Sequence, residues 1–144
     1  MMNIRNRQNY ANAFWDWSFL NQSFAPTKIR LSDIDGIVER NGQFLCFETK
    51  PLGVEPDYGQ QILLNELSYH PNWTVVILYG EKNRPEKYRK LPNGSLMDCD
   101  LSLVQRRVRA WFVNANKKKI AVIKTQPSED DHSDWLKAYD SVKS

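Results

Sequence analysis

Apolar and polar positions divide the chain into stretches of different period. Over residues 31–51 two runs rich in strand formers flank Asn41-Gly42. That dipeptide suits a two-residue type I′ turn, because both residues tolerate positive φ. Counting outwards pairs Arg40 with Gln43, Val38 with Leu45, Asp35 with Glu48 and Asp33 with Lys50. The period of two then puts Asp33, Asp35, Glu48 and Lys50 on one face of the hairpin. Residues 73–79, WTVVILY, are continuously apolar, as expected of a strand covered on both faces.

Helical spacing appears in three places. Tyr10, Ala13, Phe14, Trp17 and Leu20 recur at steps of three and four, predicting a helix over 3–20 against one face of the sheet. Gln60, Leu63, Leu64 and Leu67 form a stripe on a helix that runs to about Tyr69, with Asp57 as N-cap and Gly59 weakening the first turn. Leu101, Val104, Val108, Trp111 and Phe112 predict a helix over 101–114 started by Asp100. A strand, helix, strand order with a crossover of this length predicts parallel pairing of the hairpin's second strand with the 73–79 strand.

The remaining stretches are less regular. Residues 27–31 read as a short strand or a lead-in to the hairpin. Gly36 within a strand marks a bulge or a close backbone approach, and a bulge there would exchange which of Asp33 and Asp35 faces Glu48. Residues 80–96 are polar, basic and turn-rich, with a small hairpin through Pro92-Asn93-Gly94. Residues 119–124 add a last strand, 126–134 an acidic loop and 135–142 a terminal helix. The class is α/β, a central mixed sheet flanked by helices, in a single domain over 1–144 with its core at about 5–80 and a basic C-terminal elaboration over 81–144.

Composition narrows the setting. A chain of 144 residues with 41% hydrophobic and 12% aromatic residues buries a real core and is not a disordered segment. Its net charge of +3 says little about partners. Cys46 and Cys99 form neither a secreted framework nor a metal-ligand spacing, and Cys46 reads as a small buried hydrophobe. The start, MMNIRNRQNY, lacks the apolar core of a signal peptide, and the 73–79 run is too short to span a bilayer. A protein away from the membrane, intracellular and cytoplasmic, is expected.

Two carboxylates directly opposed on a ladder would hold their Cβ atoms about 4.5–5.5 Å apart and repel. A divalent cation between them reverses the sign. Mg²⁺ takes oxygen ligands and is usually held by one or two carboxylates, with substrate phosphate and water completing its shell. A lysine beside such a site stabilises charge on a transferring phosphoryl group. Gln60 heads its leucine stripe, where its amide is either a partly exposed helix-start group or one placed to bond a phosphate or a base edge. Gln61 is its less favoured neighbour.

Acidic residue, hairpin, then Glu48-Thr49-Lys50 resembles the active-site core of the PD-(D/E)xK nuclease superfamily, over about residues 33–79. The superfamily includes type II restriction enzymes and archaeal junction resolvases. The resemblance implies a restriction-endonuclease-like core of αβββαβ type and a Mg²⁺- or Mn²⁺-dependent deoxyribonuclease. Asp35 and Glu48 would be metal ligands, with the Thr49 carbonyl a third and Asp33 an alternative or outer ligand. Lys50 would position or activate the attacking water. The Asp35-to-Glu48 spacing is like that of the junction-resolving relatives, which favours Asp35, and relatives often carry a glutamine on the following helix, which favours Gln60. A helix before the hairpin often supplies another acid; Asp16 is the candidate. The FWDW segment with DIDGIVERNG is also similar to small phage and prophage nucleases. The proline that names the superfamily stands before neither aspartate. Dimerisation, common among endonucleolytic relatives, is an expectation of the resemblance alone.

Basic residues cluster between 80 and 120: Lys82, Arg84, Lys87, Arg89, Lys90, Arg106, Arg107, Arg109 and the run Lys117-Lys118-Lys119. Such a patch tracks a phosphate backbone without reading sequence. Arg106, Arg107 and Arg109, projecting mainly from the other faces of their helix, and Lys117 and Lys118 after it are the candidate nucleic-acid contacts. DNA is the expected partner. The alternative is a catalytically inactive nucleic-acid- or protein-binding module of the same fold.

Overall fold

A computed structural model describes residues 13–118 of the chain. The hairpin forms where Asn41-Gly42 places it. Both turn residues are left-handed, with φ of 52° and 78°. Strand β1 (Gly36–Arg40) pairs antiparallel with β2 (Gln43–Lys50), Arg40 opposite Gln43 and Val38 opposite Leu45, as counted from the turn. The ladder is regular through Gly36, which carries no bulge, and it ends there, opposite Phe47. The expected ladder pairs Asp35–Glu48 and Asp33–Lys50 do not form.

After β2, Asp57 caps helix α2 (Tyr58–Ser68; the single turn α1, Ser18–Asn21, precedes the hairpin) by accepting the Gln60 N–H at 2.8 Å. Strand β3 (Trp73–Glu81) then pairs parallel with β2, from Phe44 opposite Trp73 to Lys50 opposite Tyr79. Strands β4 (Arg84–Leu91) and β5 (Met97–Asp98) follow antiparallel. Helix α3 (Leu101–Asn116) starts at Asp100, whose side chain accepts the Leu103 N–H at 2.7 Å. The sheet is five-stranded and mixed, in the order β1-β2-β3-β4-β5.

Strand alternation decides the layers. Cys46, Val75, Ile77 and Tyr79 share one face and are buried with Leu64 of α2; Leu67, Trp73 and Leu91 border them. Leu45, Phe47, Val76 and Leu78 share the other face, under Val104, Val108 and Trp111 of α3, around a cavity of about 370 Å³. The apolar run of β3 divides between these faces: Val75, Ile77 and Tyr79 are buried on the α2 side, while Thr74, Val76 and Leu78 are half-buried across the cavity from α3. Complete burial of such side chains contributes about 1.5–3 kcal/mol each. Cys46 is fully buried, as a small hydrophobe should be.

The two ends of α3 orient the molecule. At its C-terminal end, Asn41 Nδ2 donates to the carbonyls of Ala115 at 3.2 Å and Lys118 at 3.1 Å. Arg40 donates from Nε and Nη2 to Asn116 Oδ1 at 2.8 and 2.6 Å. The hairpin tip thus satisfies carbonyls that a helix end leaves without intrahelical partners. At the other end, Leu101 and Val104 lie beside Thr49 and Lys50.

Several expectations are corrected. Residues 27–35 contain no strand, so two strands, not three, precede α2, and the αβββαβ order is not followed among the described residues. The helix expected over 3–20 is, among the described residues, only the single turn α1 (Ser18–Asn21) followed by a 3₁₀ turn, Gln22–Phe24. Of the expected apolar stripe, Phe14 and Leu20 are exposed there. Residues 3–12 of that helix lie outside the described residues, as do the strand and terminal helix expected beyond 118. The small hairpin expected through Pro92-Asn93-Gly94 forms as β4 and β5, but β4 begins earlier, at Arg84, because its many charges hide the alternation and Pro85 argues against a strand. Pro85 sits opposite Gly80 at a bulge after Tyr79, where the ladder is already irregular. A Cβ on Gly80 would stand 2.2 Å from the Arg84 carbonyl oxygen, so only glycine allows that approach. The face of α3 toward the sheet includes Arg107, while Phe112 is exposed with the Arg109 guanidinium 5.5 Å from its ring. Among the described residues no helix is long and apolar enough to cross a membrane.

Candidate active site

Glu48 is the buried charged residue of the described chain, with 4% exposure. It occupies the end of β2, on the face that α2 covers, and three groups meet it. Lys50, two residues on and therefore on the same face, places Nζ 3.6 Å from Glu48 Oε1. Gln60, in the first turn of α2, donates from Nε2 to the same oxygen at 3.4 Å. The Asp35 charge lies close enough to raise the Glu48 pKa. Burial raises it most, Asp35 adds to that, and Lys50 and Gln60 pull it down. Both stabilising contacts are long, so the carboxylate is held but weakly neutralised.

Asp35 reaches the site by its side chain rather than by strand pairing. In a continued ladder the Ile34 carbonyl would accept the Thr49 N–H, since Gly36 is the partner of Phe47. Asp35 takes that place instead. Its Oδ2 accepts the Thr49 N–H at 2.8 Å and the Thr49 hydroxyl at 3.0 Å. The main chain therefore leaves the sheet at Asp35, and this is the physical reason the ladder stops at Gly36. Asp35 Oδ1 and Glu48 Oε2 take no hydrogen bond from the described residues.

The same alternation fixes the Thr49 carbonyl. Phe44 N–H points to the β3 side, toward the Asn72 carbonyl at 2.8 Å. Odd-numbered residues of β2 therefore direct their N–H and C=O toward β1. The Thr49 carbonyl faces that edge, past the last paired residue of β1 and on the side where Asp35 is anchored. Two carboxylates and one carbonyl thus border one small region at the strand end. That oxygen-rich set suits a hard dication completed by water and phosphate. No group of three His, Cys, Asp or Glu side chains assembles among the described residues.

Of the sequence candidates, Asp35, Glu48, Thr49, Lys50 and Gln60 are brought together. Asp33 is not: it is exposed and has no hydrogen-bond or ion-pair partner among the described residues. Asp16 is exposed and accepts the Ser18 N–H at 2.9 Å and its hydroxyl at 2.5 Å, a local turn contact remote from the hairpin in sequence. Gln61 donates to the Pro56 carbonyl at 2.7 Å and holds the loop before α2. Lys117 and Lys118 lie at the hairpin-tip end of α3, while Glu48 and Lys50 lie at the opposite end of β2. A helix of this length separates those ends by roughly 24 Å at 1.5 Å per residue.

One group the sequence reading overlooked is a bridge behind the site. Tyr79, 2% exposed, donates its hydroxyl to Glu55 Oε2 at 2.8 Å, and Arg89 Nη2 lies 3.7 Å from Glu55 Oε1. Glu55 belongs to the loop joining Lys50 to the helix of Gln60, so the bridge ties that loop to β3 and β4. Glu55 carried no periodic signal, and its partners come from strands far along the chain. Lys87 is likewise paired, with Asp98 at 2.6 Å, so the basic patch is divided between structural pairs and uncommitted cations.

No protein-family model, curated protein or solved structure matches the chain.

Proposed function

We propose that this protein is a Mg²⁺- or Mn²⁺-dependent nuclease that hydrolyses phosphodiester bonds in DNA, built on a restriction-endonuclease-like core of the PD-(D/E)xK kind. The observation that carries the reading is the buried Glu48 carboxylate. A carboxylate with 4% exposure and only two long stabilising contacts is unfavourable as mere structure. It becomes favourable where a cation and a phosphate complete its surroundings.

Asp35, Glu48 and the Thr49 carbonyl would hold the dication, which when bound supplies Lewis-acid polarisation of the phosphate and a lowered pKa for water. The chain's own residues do the rest. Thr49 fixes Asp35 through two donors, so one carboxylate oxygen is committed and the other is left to face the ion. Lys50 presents an ammonium beside Glu48, placed to orient the attacking water and to stabilise negative charge on the phosphoryl oxygens. Gln60 holds Glu48 Oε1 and keeps its carboxylate plane toward the strand end. The Pro51–Pro56 loop brings α2 back over the sheet and sets the Gln60 position.

The test uses plasmid, linear, single-stranded and branched DNA with Mg²⁺, Mn²⁺ or EDTA. Divalent-dependent cutting by the wild type, reduced about 10²–10³-fold in Lys50→Ala, is the expected result. DNA binding without cutting under every condition would instead favour a binding module of the same fold. Neither binding nor cutting would end the reading.

A further inference from the structure

A groove of about 480 Å³ opens at the sheet end that carries Glu48, on the α3 side of the sheet, whereas the Glu48 side chain lies on the α2 side. Thr49 and Lys50 form its head, the β3–β4 turn forms its wall with Glu81, Lys82, Asn83 and Arg84, and Leu101 of α3 closes one side. The turn is tight: Glu81 pairs with Arg84, and Asn83 takes the left-handed conformation with φ of 60°. Lys82 and Arg84 are both exposed, and neither has an ion pair or side-chain hydrogen bond among the described residues. The other strand cations differ. Lys87 is held by Asp98, and Arg89 by Glu55 and the Gly94 carbonyl.

We infer that this groove is the seat of the DNA backbone, with Lys82 and Arg84 holding phosphates on the path to Lys50. The inference rests on the nuclease reading and assigns that reading's substrate contacts. It moves them from Arg106, Arg107, Arg109 and the lysines after α3 to two other members of the basic cluster, at the β3–β4 turn. Three cations against one carboxylate give the lining a net positive charge, carried on the rim of a floor that Leu78, Leu101 and Val104 make apolar. Such a surface favours a polyanion without selecting a base sequence. Lys117 and Lys118 sit at the far end of α3, beside the hairpin tip, and do not share the groove. Asn83 adds an uncharged donor at the turn, within the same lining.

Fluorescence anisotropy of a labelled DNA duplex in EDTA separates binding from cleavage. The comparison is wild type, Lys82→Ala/Arg84→Ala, Lys82→Gln/Arg84→Gln and Lys117→Ala/Lys118→Ala. Loss of two phosphate contacts should lower the slope of log K against log salt by about 1.8 and weaken binding roughly tenfold or more at low salt. The glutamine pair, which keeps side-chain length, should behave like the alanine pair, and Lys117→Ala/Lys118→Ala should stay within about twofold of wild type. Wild-type affinity and salt slope in both groove variants would overturn the assignment. So would losses confined to the Lys117 and Lys118 variant. If the wild type cuts DNA and the groove variants bind normally, only the groove assignment falls. If the wild type neither binds nor cuts, the nuclease reading falls and takes this inference with it.

Discussion

Thr49 holds Asp35 with two donors, its backbone N–H at 2.8 Å and its hydroxyl at 3.0 Å, both on the same carboxylate oxygen. The first would have served the β-ladder; the second exists only because residue 49 is a hydroxyl amino acid. Thr49→Val keeps the shape and removes the second donor. It should weaken Mn²⁺ binding by up to roughly tenfold, the equivalent of about 1.4 kcal/mol, with Thr49→Ser close to wild type. Titration calorimetry checks this directly, and equal affinity in Thr49→Val would deny the hydroxyl a positioning role.

Glu48 makes stability depend on pH in a definite sense. Burial first, and the Asp35 charge second, hold its pKa above the ordinary 4.5. The folded state therefore keeps a proton that the unfolded chain releases. The associated stability is complete below about pH 4.5 and is lost as pH rises through the elevated folded value. Glu48→Gln mimics the protonated form. In EDTA its urea midpoint should exceed that of the wild type at pH 7, and the gap should close on acidification below pH 4.5. A gap of constant size across that range would show that Glu48 does not titrate with folding.

Gln60 lowers the Glu48 pKa by donating to it. Gln60→Leu removes the donor and should move the acid limb of kcat/KM to higher pH. Activity should then fall several-fold more at pH 6 than at pH 8. A uniform loss at both pH values would mean that Gln60 acts on the substrate rather than through Glu48.

Asn41 joins two roles that can be separated. It adopts φ of 52° in the turn and donates to the carbonyls at the end of α3. Asn41→Gly keeps the backbone conformation and loses the donor, at a cost of about 1 kcal/mol. Asn41→Ala loses both and should cost roughly 1–2 kcal/mol more, since a left-handed conformation strains a residue with Cβ. Chemical denaturation of the two variants measures each part.

The sequence alone determined whatever depends on local pattern. Asn41-Gly42 set a turn, the turn set the register, and period two put Glu48 and Lys50 on one face. Asp57 and Asp100 marked helix starts, and an uninterrupted apolar run marked the central strand of the sheet. Gln60 stood out as a polar head on a leucine stripe. The tertiary structure decided where the chain stops obeying those periods. Asp35 leaves the ladder because its own carboxylate replaces a backbone acceptor, a competition that period counting does not include. The lysines after α3 are adjacent in sequence to a basic helix, yet helix direction carries them to the opposite end of the sheet from Glu48. Lys82 and Arg84 reach the groove for the converse reason: parallel pairing of β2 with β3 delivers the β3–β4 turn to the end where Lys50 lies. Local periodicity fixes which way a side chain points; only the packing of whole elements fixes what it meets.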